Sequence, residues 1–370
     1  LELYEKLYVK KAFLDSDHGR IPCVDCHGGN PDDPNWQTAH NDMIRDPTFP
    51  DADAVCGTCH EEISATASKS VHFTLAPIFA TIEARSSIDR PHTMQVVRQA
   101  QTKHCGTCHA SCGQCHISRP NYVGGGFLSG HRFVRPPVET VCAACHGGRI
   151  FAEFTGINSD YAADVHYSKA EMTCRKCHSA DEMHSDGSHA ANRYQIEPRP
   201  SCRGCHEKSV DPAAGNRFHT QHAKDLACQV CHAQANKNCF TCHVGTDRKG
   251  LPYFKCRETR WQFKIGRNPK PTPERPQAYE VVRHAPVNPA LFDAYTPDAL
   301  SRFDRLPTWK RSAPHNIQKH TPRNRSCNAC HGQVGLFLGA GDLVESERTA
   351  NIAIVVPHNQ LPQPVKEVDP

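Results

Sequence analysis

The sequence predicts a mostly irregular chain of short α-helices with little β structure, built around an interior that aliphatic side chains do not supply. Three observations carry this. Of 370 residues only 38% are hydrophobic, while 22% are charged and the formal net charge is +4. Pro and Gly number 28 and 23, which interrupts regular elements often. Cys and His number 21 and 25, far above ordinary usage. Balanced charge and abundant Cys and His separate this composition from that of a disordered chain. The length allows two or three packing units. The longest apolar stretches, Val334–Leu338 and Ile352–Val356, fall well short of the ~18 apolar residues of a membrane helix, so no span is expected in this chain.

Twenty of the cysteines form ten Cys-x-x-Cys pairs, and each pair is followed at once by His. They are Cys23/Cys26/His27, Cys56/Cys59/His60, Cys105/Cys108/His109, Cys112/Cys115/His116 and Cys142/Cys145/His146, then Cys174/Cys177/His178, Cys202/Cys205/His206, Cys228/Cys231/His232, Cys239/Cys242/His243 and Cys327/Cys330/His331. Cys-x-x-Cys-His is the attachment signature of c-type haem. Two thiols one helical turn apart can each add to a porphyrin vinyl group, and the next imidazole then reaches the iron. Tetrahedral zinc takes four ligands and does not require His after each second Cys. Iron–sulfur clusters use other thiolate spacings, and disulfides need no His.

The chain therefore resembles the multihaem (decahaem) c-type cytochromes, through motifs spanning residues 23–331. The resemblance implies ten covalent haem c groups and a multihaem cytochrome c fold, with short helices and a core formed by stacked haems. It also implies maturation outside the cytoplasmic membrane, hence a periplasmic or extracellular protein whose signal peptide has been removed. The start at Leu1, without a charged and then apolar leader, is what a mature form would show.

Fifteen His remain outside the motifs, against four Met (43, 94, 172 and 183), so bis-His ligation is the economical expectation. The expected distal ligands are His18, His40, His72, His104, His131, His166, His184, His222, His284 and His315. The choices between His219 and His222, and between His315 and His320, are near even. Ligands just before a motif, such as His18, His166 and His222, suit a neighbouring haem, because a short tether cannot easily pass around the ring.

The first cysteines of successive motifs are separated by 33, 49, 7, 30, 32, 28, 26, 11 and 88 residues, with no solenoid period. Three peptide steps from His109 to Cys112 span at most about 11 Å, which makes haems 3 and 4 close neighbours. One haem per 37 residues puts most of the interior in porphyrin. Ten haems, each with two propionates, would carry the +4 polypeptide to about −6 oxidised and about −16 reduced. The basic polypeptide is therefore no argument for nucleic-acid binding.

Along the chain, residues 1–20 read as a short amphipathic helix through Leu3, Tyr4, Leu7 and Tyr8. Residues 21–250 hold nine motifs, with 30–50 as loop, Gly124–Gly126 as a turn, and a longer helix over Glu61–Arg85 interrupted at Pro77. Residues 251–326 form a Pro-rich stretch without a motif, a belt or a small accessory module. There Trp261–Ile265, Tyr279–Arg283 and Ile352–Val356 are expected to share a small sheet. Thr296-Pro297 should start a helix over Asp298–Asp304. Residues 327–370 carry the tenth motif and a tail. Cys256 is left over, as an inert buried thiol, an intermolecular or reactive thiol, a haem ligand or a catalytic group.

The function expected is an electron conduit in anaerobic respiration, exchanging electrons with other redox proteins or with copies of itself, including the polymerised form of an extracellular filament. The alternative is a multihaem oxidoreductase acting on a small nitrogen or sulfur compound at one open-faced haem. None of the ten motifs replaces its His by Lys, as some multihaem nitrite reductases do, which favours the carrier.

Overall fold

A computed structural model gives the fold and describes residues 9–49, 51–87, 90–108, 110–157, 160–190 and 192–366. The expected amphipathic positions Leu3, Tyr4, Leu7 and Tyr8 lie outside these residues, as does His109. The chain divides into two compact units, each assembled from separate stretches of sequence. One comprises Leu1–Ile78, Cys105–Gly147 and Cys174–Arg199; the other comprises Phe79–His104, Gly148–Thr173 and Pro200–Pro370. The first contains six motifs and the second four.

In the first unit most elements are single turns. Cys23–His27 and Cys112–His116 are helices opening at the first motif cysteine, Cys174–Cys177 ends at the second, and Ala143–His146 covers the end of another motif. One turn is enough to set residues i and i+3 on a common face. Side chains cap several of these turns. Ser111 accepts from the Gln114 amide, Ser70 from Phe73 and Ser179 from Glu182, satisfying donors that so short a helix leaves over. Gly124–Gly126 form the expected turn, all three with positive φ, and Arg119 donates to the Gly125 carbonyl.

The expected long helix over 61–85 is three pieces: Glu61–Ala67, Val71–Thr74 and Ala76–Glu83. The breaks fall at Ser68–Ser70 and at left-handed Leu75. Pro77 does not interrupt the last piece; it sits in the first turn, where no amide is required.

The second unit has a conventional apolar core. Strands β1 (Lys237–Thr246) and β2 (Pro252–Trp261) form an antiparallel hairpin; β3 (Lys264–Arg267), β4 (Tyr279–His284) and β5 (Trp309–Arg311) form an antiparallel sheet with β4 central. In β4, Val282 packs with Trp309, Leu338 and Ile354, while Val281 packs with Ile265 and Phe337. Successive residues point to opposite faces, so the small sheet is buried on both. A third cluster joins Val97 and Ala100 to Val287, Leu291, Phe292 and Phe303. Its helix, Pro91–His104, is the longest of the described residues and buries Thr93, Val97, Ala100, Gln101 and His104 as one stripe. The stretch 251–326, open as belt or module in the sequence, thus packs largely as a small sheet with side-chain cores.

Three local expectations are corrected. Ile352–Val356 is a turn, not a strand. It buries Ile354, Val355 and Val356, while the Ile354 carbonyl accepts from Arg267 and the Val356 amide donates to Leu338. Trp261–Ile265 is divided, Trp261 ending β2 and Lys264 opening β3. Asp298–Asp304 is turns and a 3-10 segment, Phe303–Arg305. Asp298 has φ of 55°, outside the helical region, and burial of Ala299, Leu300 and Phe303 sets the path instead.

Candidate haem ligand pairs

A first-row metal lies about 2.0–2.1 Å from an imidazole nitrogen, and the ring centroid about 1.1 Å beyond, so two imidazoles on opposite sides of one metal have centroids about 6.2–6.4 Å apart. Seven motif histidines face another histidine at close to this spacing. In the first unit the pairs are His27–His131 at 6.1 Å, His60–His18 at 6.1 Å, His116–His184 at 6.2 Å and His146–His72 at 6.3 Å. In the second they are His206–His166 at 5.9 Å, His232–His219 at 6.1 Å and His331–His222 at 6.2 Å. All seven join one motif histidine to one from outside the motifs. Indiscriminate pairing among ten motif and fifteen other histidines would give a mixed pair only about half the time.

Ten of the histidines have an Nδ1 partner that disposes them for ligation through Nε2. Nδ1 of His27 lies 2.7 Å from the Ile44 carbonyl, and those of His116, His232, His243 and His331 lie 3.1 Å from carbonyls of Val134, Gln318, Ala290 and Gln363. His178 Nδ1 is 2.8 Å from a Glu182 carboxylate oxygen. Such partners fix the proton on Nδ1 and leave Nε2 as the donor to a metal. His40, His166, His219 and His222 follow the same pattern, bonding Trp36 O, Asp164 Oδ1, Ser209 O and Phe218 O. Burial lowers the pKa of His72, His131, His184 and His232, which favours the neutral, ligating ring.

The thiols place motifs beside one another, two of the three pairings skipping a motif in chain order. Cys56 and Cys112 share a thiol hydrogen bond, as do Cys145 and Cys108, and Cys202 and Cys228. Burial raises Cys115 and Cys231 to about 11, with smaller contributions from Cys142 and Cys330 respectively. Among the described residues no group of three or more His, Cys, Asp or Glu side chains gathers as a metal cluster, the arrangement zinc would need.

The motif thiols differ in exposure. Cys59 and Cys205 are exposed, as are Cys23, Cys177 and Cys202. The local reasons differ. The helix Asp53–Cys56 ends at the first cysteine of its motif, so Cys59 falls in the turn that follows, where its sulfur lies 3.9 Å from the Thr58 hydroxyl. Cys205 lies in Cys202–Val210, a helix that buries none of its residues and departs from helical geometry at His206. At these two motifs the imidazole is nevertheless placed for ligation, His60 facing His18 and His206 facing His166.

The donor sets fit attached haem at the seven paired motifs: two cysteines, a proximal imidazole and an opposed imidazole at trans spacing. Of the ten expected distal ligands, His18, His72, His131, His166, His184 and His222 face a motif histidine. His104 and His284 are turned elsewhere through Nε2, to Tyr295 Oη at 2.6 Å and Glu347 Oε2 at 2.7 Å. His40 presents an Nε2 without a described ring partner, and the amide of His315 donates to Glu153. Sequence reasoning did not expect His219 and His222 each to face a motif histidine, having treated them as alternatives. The i,i+3 spacing that puts both on one helix face was the available signal.

Motif nine differs from the rest: Cys239, Cys242 and His243 lie on β1. Strand alternation would put Cys239 and Cys242 on opposite faces, but left-handed Thr241 between them breaks the alternation. Cys256 is opposite Cys242 on β2, exposed, its thiol donating to the carbonyls of Glu258 and Phe240 at 2.9 and 3.1 Å. It is therefore not a buried thiol.

No helix among the described residues is long and apolar enough to cross a membrane. No protein-family model, curated protein or solved structure matches the chain.

Proposed function

We propose that this chain is an exported multihaem c-type cytochrome that carries electrons through ten covalently bound haems. The observation behind the reading is the set of seven mixed histidine pairs at trans-ligand spacing, each containing the histidine of an attachment motif. Bound haem supplies one-electron chemistry between ferric and ferrous iron. The protein's part would be to hold imidazoles in place, at His219–His232 and His222–His331 by a carbonyl at the Nδ1 of both rings, so that little moves when an electron arrives or leaves. Twenty cysteines would tether the groups, and their neighbouring positions keep adjacent groups close enough for rapid exchange. Donors and acceptors are other redox proteins or further copies of this chain, in the periplasm or outside the cell, including as a filament.

The test is composition and spin state of the purified holoprotein. Ten haems per chain by pyridine haemochromogen, one titratable thiol, and low-spin ferric resonances are expected. Colourless protein with twenty-one free thiols would overturn the reading.

A second reading, an oxidoreductase of small nitrogen or sulfur compounds, has one specific observation in its favour. His243 of the hairpin motif faces no second imidazole among the described residues, and Cys256 stands across from its neighbour Cys242. A stoichiometric high-spin ferric signal that binds nitrite, hydroxylamine or sulfite would favour this reading over the carrier.

A further inference from the structure

The helix Arg217–His222 presents two imidazoles to two different motifs. His219 faces His232 at 6.1 Å and His222 faces His331 at 6.2 Å. Neither ring is free to turn at will. Asn216 caps the helix by accepting from the Phe218 and His219 amides, the His219 Nδ1 lies 2.5 Å from the Ser209 carbonyl, and the His222 Nδ1 lies 3.0 Å from the Phe218 carbonyl. The target imidazoles are fixed in the same way, His232 by the Gln318 carbonyl and His331 by that of Gln363. Four rings from three segments of chain are thus held in two trans pairs that share one helical turn.

We propose that His219 and His222 are the distal ligands of two separate haems, those attached at Cys228/Cys231 and Cys327/Cys330, and that this turn makes the eighth and tenth haems direct redox neighbours. The inference rests on the haem reading above and goes beyond it in assigning ligands and order. Residues three apart on a helix have Cβ atoms about 5–6 Å apart, and adding each ring and its bond to metal limits the two irons to about 17 Å at most. Val230, inside the eighth motif, and Cys330 of the tenth pack on the same apolar cluster, an independent sign that the two motifs adjoin. The tenth motif, 88 residues beyond the ninth in sequence, would exchange electrons with the eighth, and the intervening 251–326 would be an excursion of the chain that the electron does not follow.

The experiment uses the full holoprotein with His219→Ala, His222→Ala and both. Haem content is counted first, and ten per chain in every variant is expected. Each single variant should convert one haem of ten to high spin and the double variant two, with added imidazole restoring the low-spin signal. Nitric oxide bound to the two opened ferrous haems of the double variant then serves as a pair of spin probes. Dipolar coupling should place them within about 17 Å, the limit set by the helix and ligand geometry. His219→Met and His222→Met cover the case in which alanine prevents folding: each should stay low-spin and raise the potential of one haem. A full complement of haem with no spin change or potential shift in either single variant overturns the assignment, as does an uncoupled nitrosyl pair. Absence of thioether-bound haem from the wild type overturns the haem reading itself, and the initial count separates that failure from the others.

Discussion

His284 is the residue at which ligand and structural roles can be most sharply separated. It is buried at 5% exposure, and its Nε2 is 2.7 Å from Glu347 Oε2, itself in a residue 3% exposed. The same carboxylate oxygen accepts from Thr308 Oγ1 at 2.5 Å, and Asn351 links the Thr308 hydroxyl to the Glu347 carbonyl while receiving the Thr308 and Trp309 amides. Replacing His284 by Ala leaves a buried carboxylate with much of its support gone, a loss of about 3–5 kcal/mol for a broken buried pair. His284→Gln keeps a donor on the side chain and should cost only the order of one charged hydrogen bond, about 1.5–3 kcal/mol. The assay is denaturant unfolding of the holoprotein followed by circular dichroism, with haem count and electron paramagnetic resonance on the same samples. The expected result is a lower midpoint, Ala below Gln, with every haem retained and no new high-spin signal. A variant that keeps wild-type stability but opens one haem would refute the reasoning, because His284 would then be a ligand in the holoprotein and the Glu347 contact incidental.

Two buried carboxyls should give opposite pH responses. Burial works against ionisation of Glu347, but hydrogen bonds from His284 and Thr308 outweigh it and hold its pKa below the ordinary value. The stability it contributes is present above the unfolded carboxyl pKa and should be lost as pH falls through the lower folded value; Glu347→Gln should abolish that part of the acid transition. Burial raises Glu153, whose Oε1 has no partner, despite the His315 amide and nearby arginines. Its unfavourable effect grows above the unfolded pKa, so Glu153→Gln should stabilise at neutral pH and not in acid, as denaturant midpoints at several pH values will show. Ring planes predict a mixed spectrum. His18–His60 and His116–His184 are near-parallel at 28° and 30°, whereas His72–His146 and His222–His331 cross at 79° and 90°. Low-temperature electron paramagnetic resonance should resolve both rhombic and highly anisotropic low-spin ferric species; a single rhombic class would contradict the geometry. The first unit holds six motifs and six other histidines, of which His40 and His189 are the two without a motif partner in the pairs above. His40→Ala and His189→Ala should each open one haem by the same spin-state measurement, and no change in either would disprove the assignment.

What could be read from the sequence was chemistry with a fixed local spacing. Cys-x-x-Cys-His is legible because two thiols and an imidazole must meet one small group within one turn. How deep each thiol lies was not legible, because the exposure of Cys59 and Cys205 depends on where a short helix ends and on whether anything packs over it. Strand β4 was legible because Tyr279–Arg283 carries β-formers, although the alternation that normally marks a sheet was blurred by burial of both Val281 and Val282. The strand signal of Ile352–Val356 misled for a related reason: apolar residues sought the core, and a turn with two backbone bonds took them there. Thr296-Pro297 had the local form of a helix start, but Asp298 in the left-handed region and the burial of Leu300 prevailed. Ligand assignment was only partly legible, because an imidazole that serves a motif a hundred residues away leaves no mark near either one. His131 opposite His27 has no local signature at all. His219 and His222 did have one, their shared helix face, and it was obscured by treating one haem as needing one of them.

The crossing of His131 to His27 bears on how such a chain would be made. A polypeptide threaded through a membrane from its N-terminus would deliver Cys23, Cys26 and His27 well ahead of His131, with 103 residues between His27 and His131. A group attached at this motif would wait for its second imidazole until most of the first unit had arrived. Attachment and closure would then be separate events, and assembly could finish only when late segments fold back onto early ones.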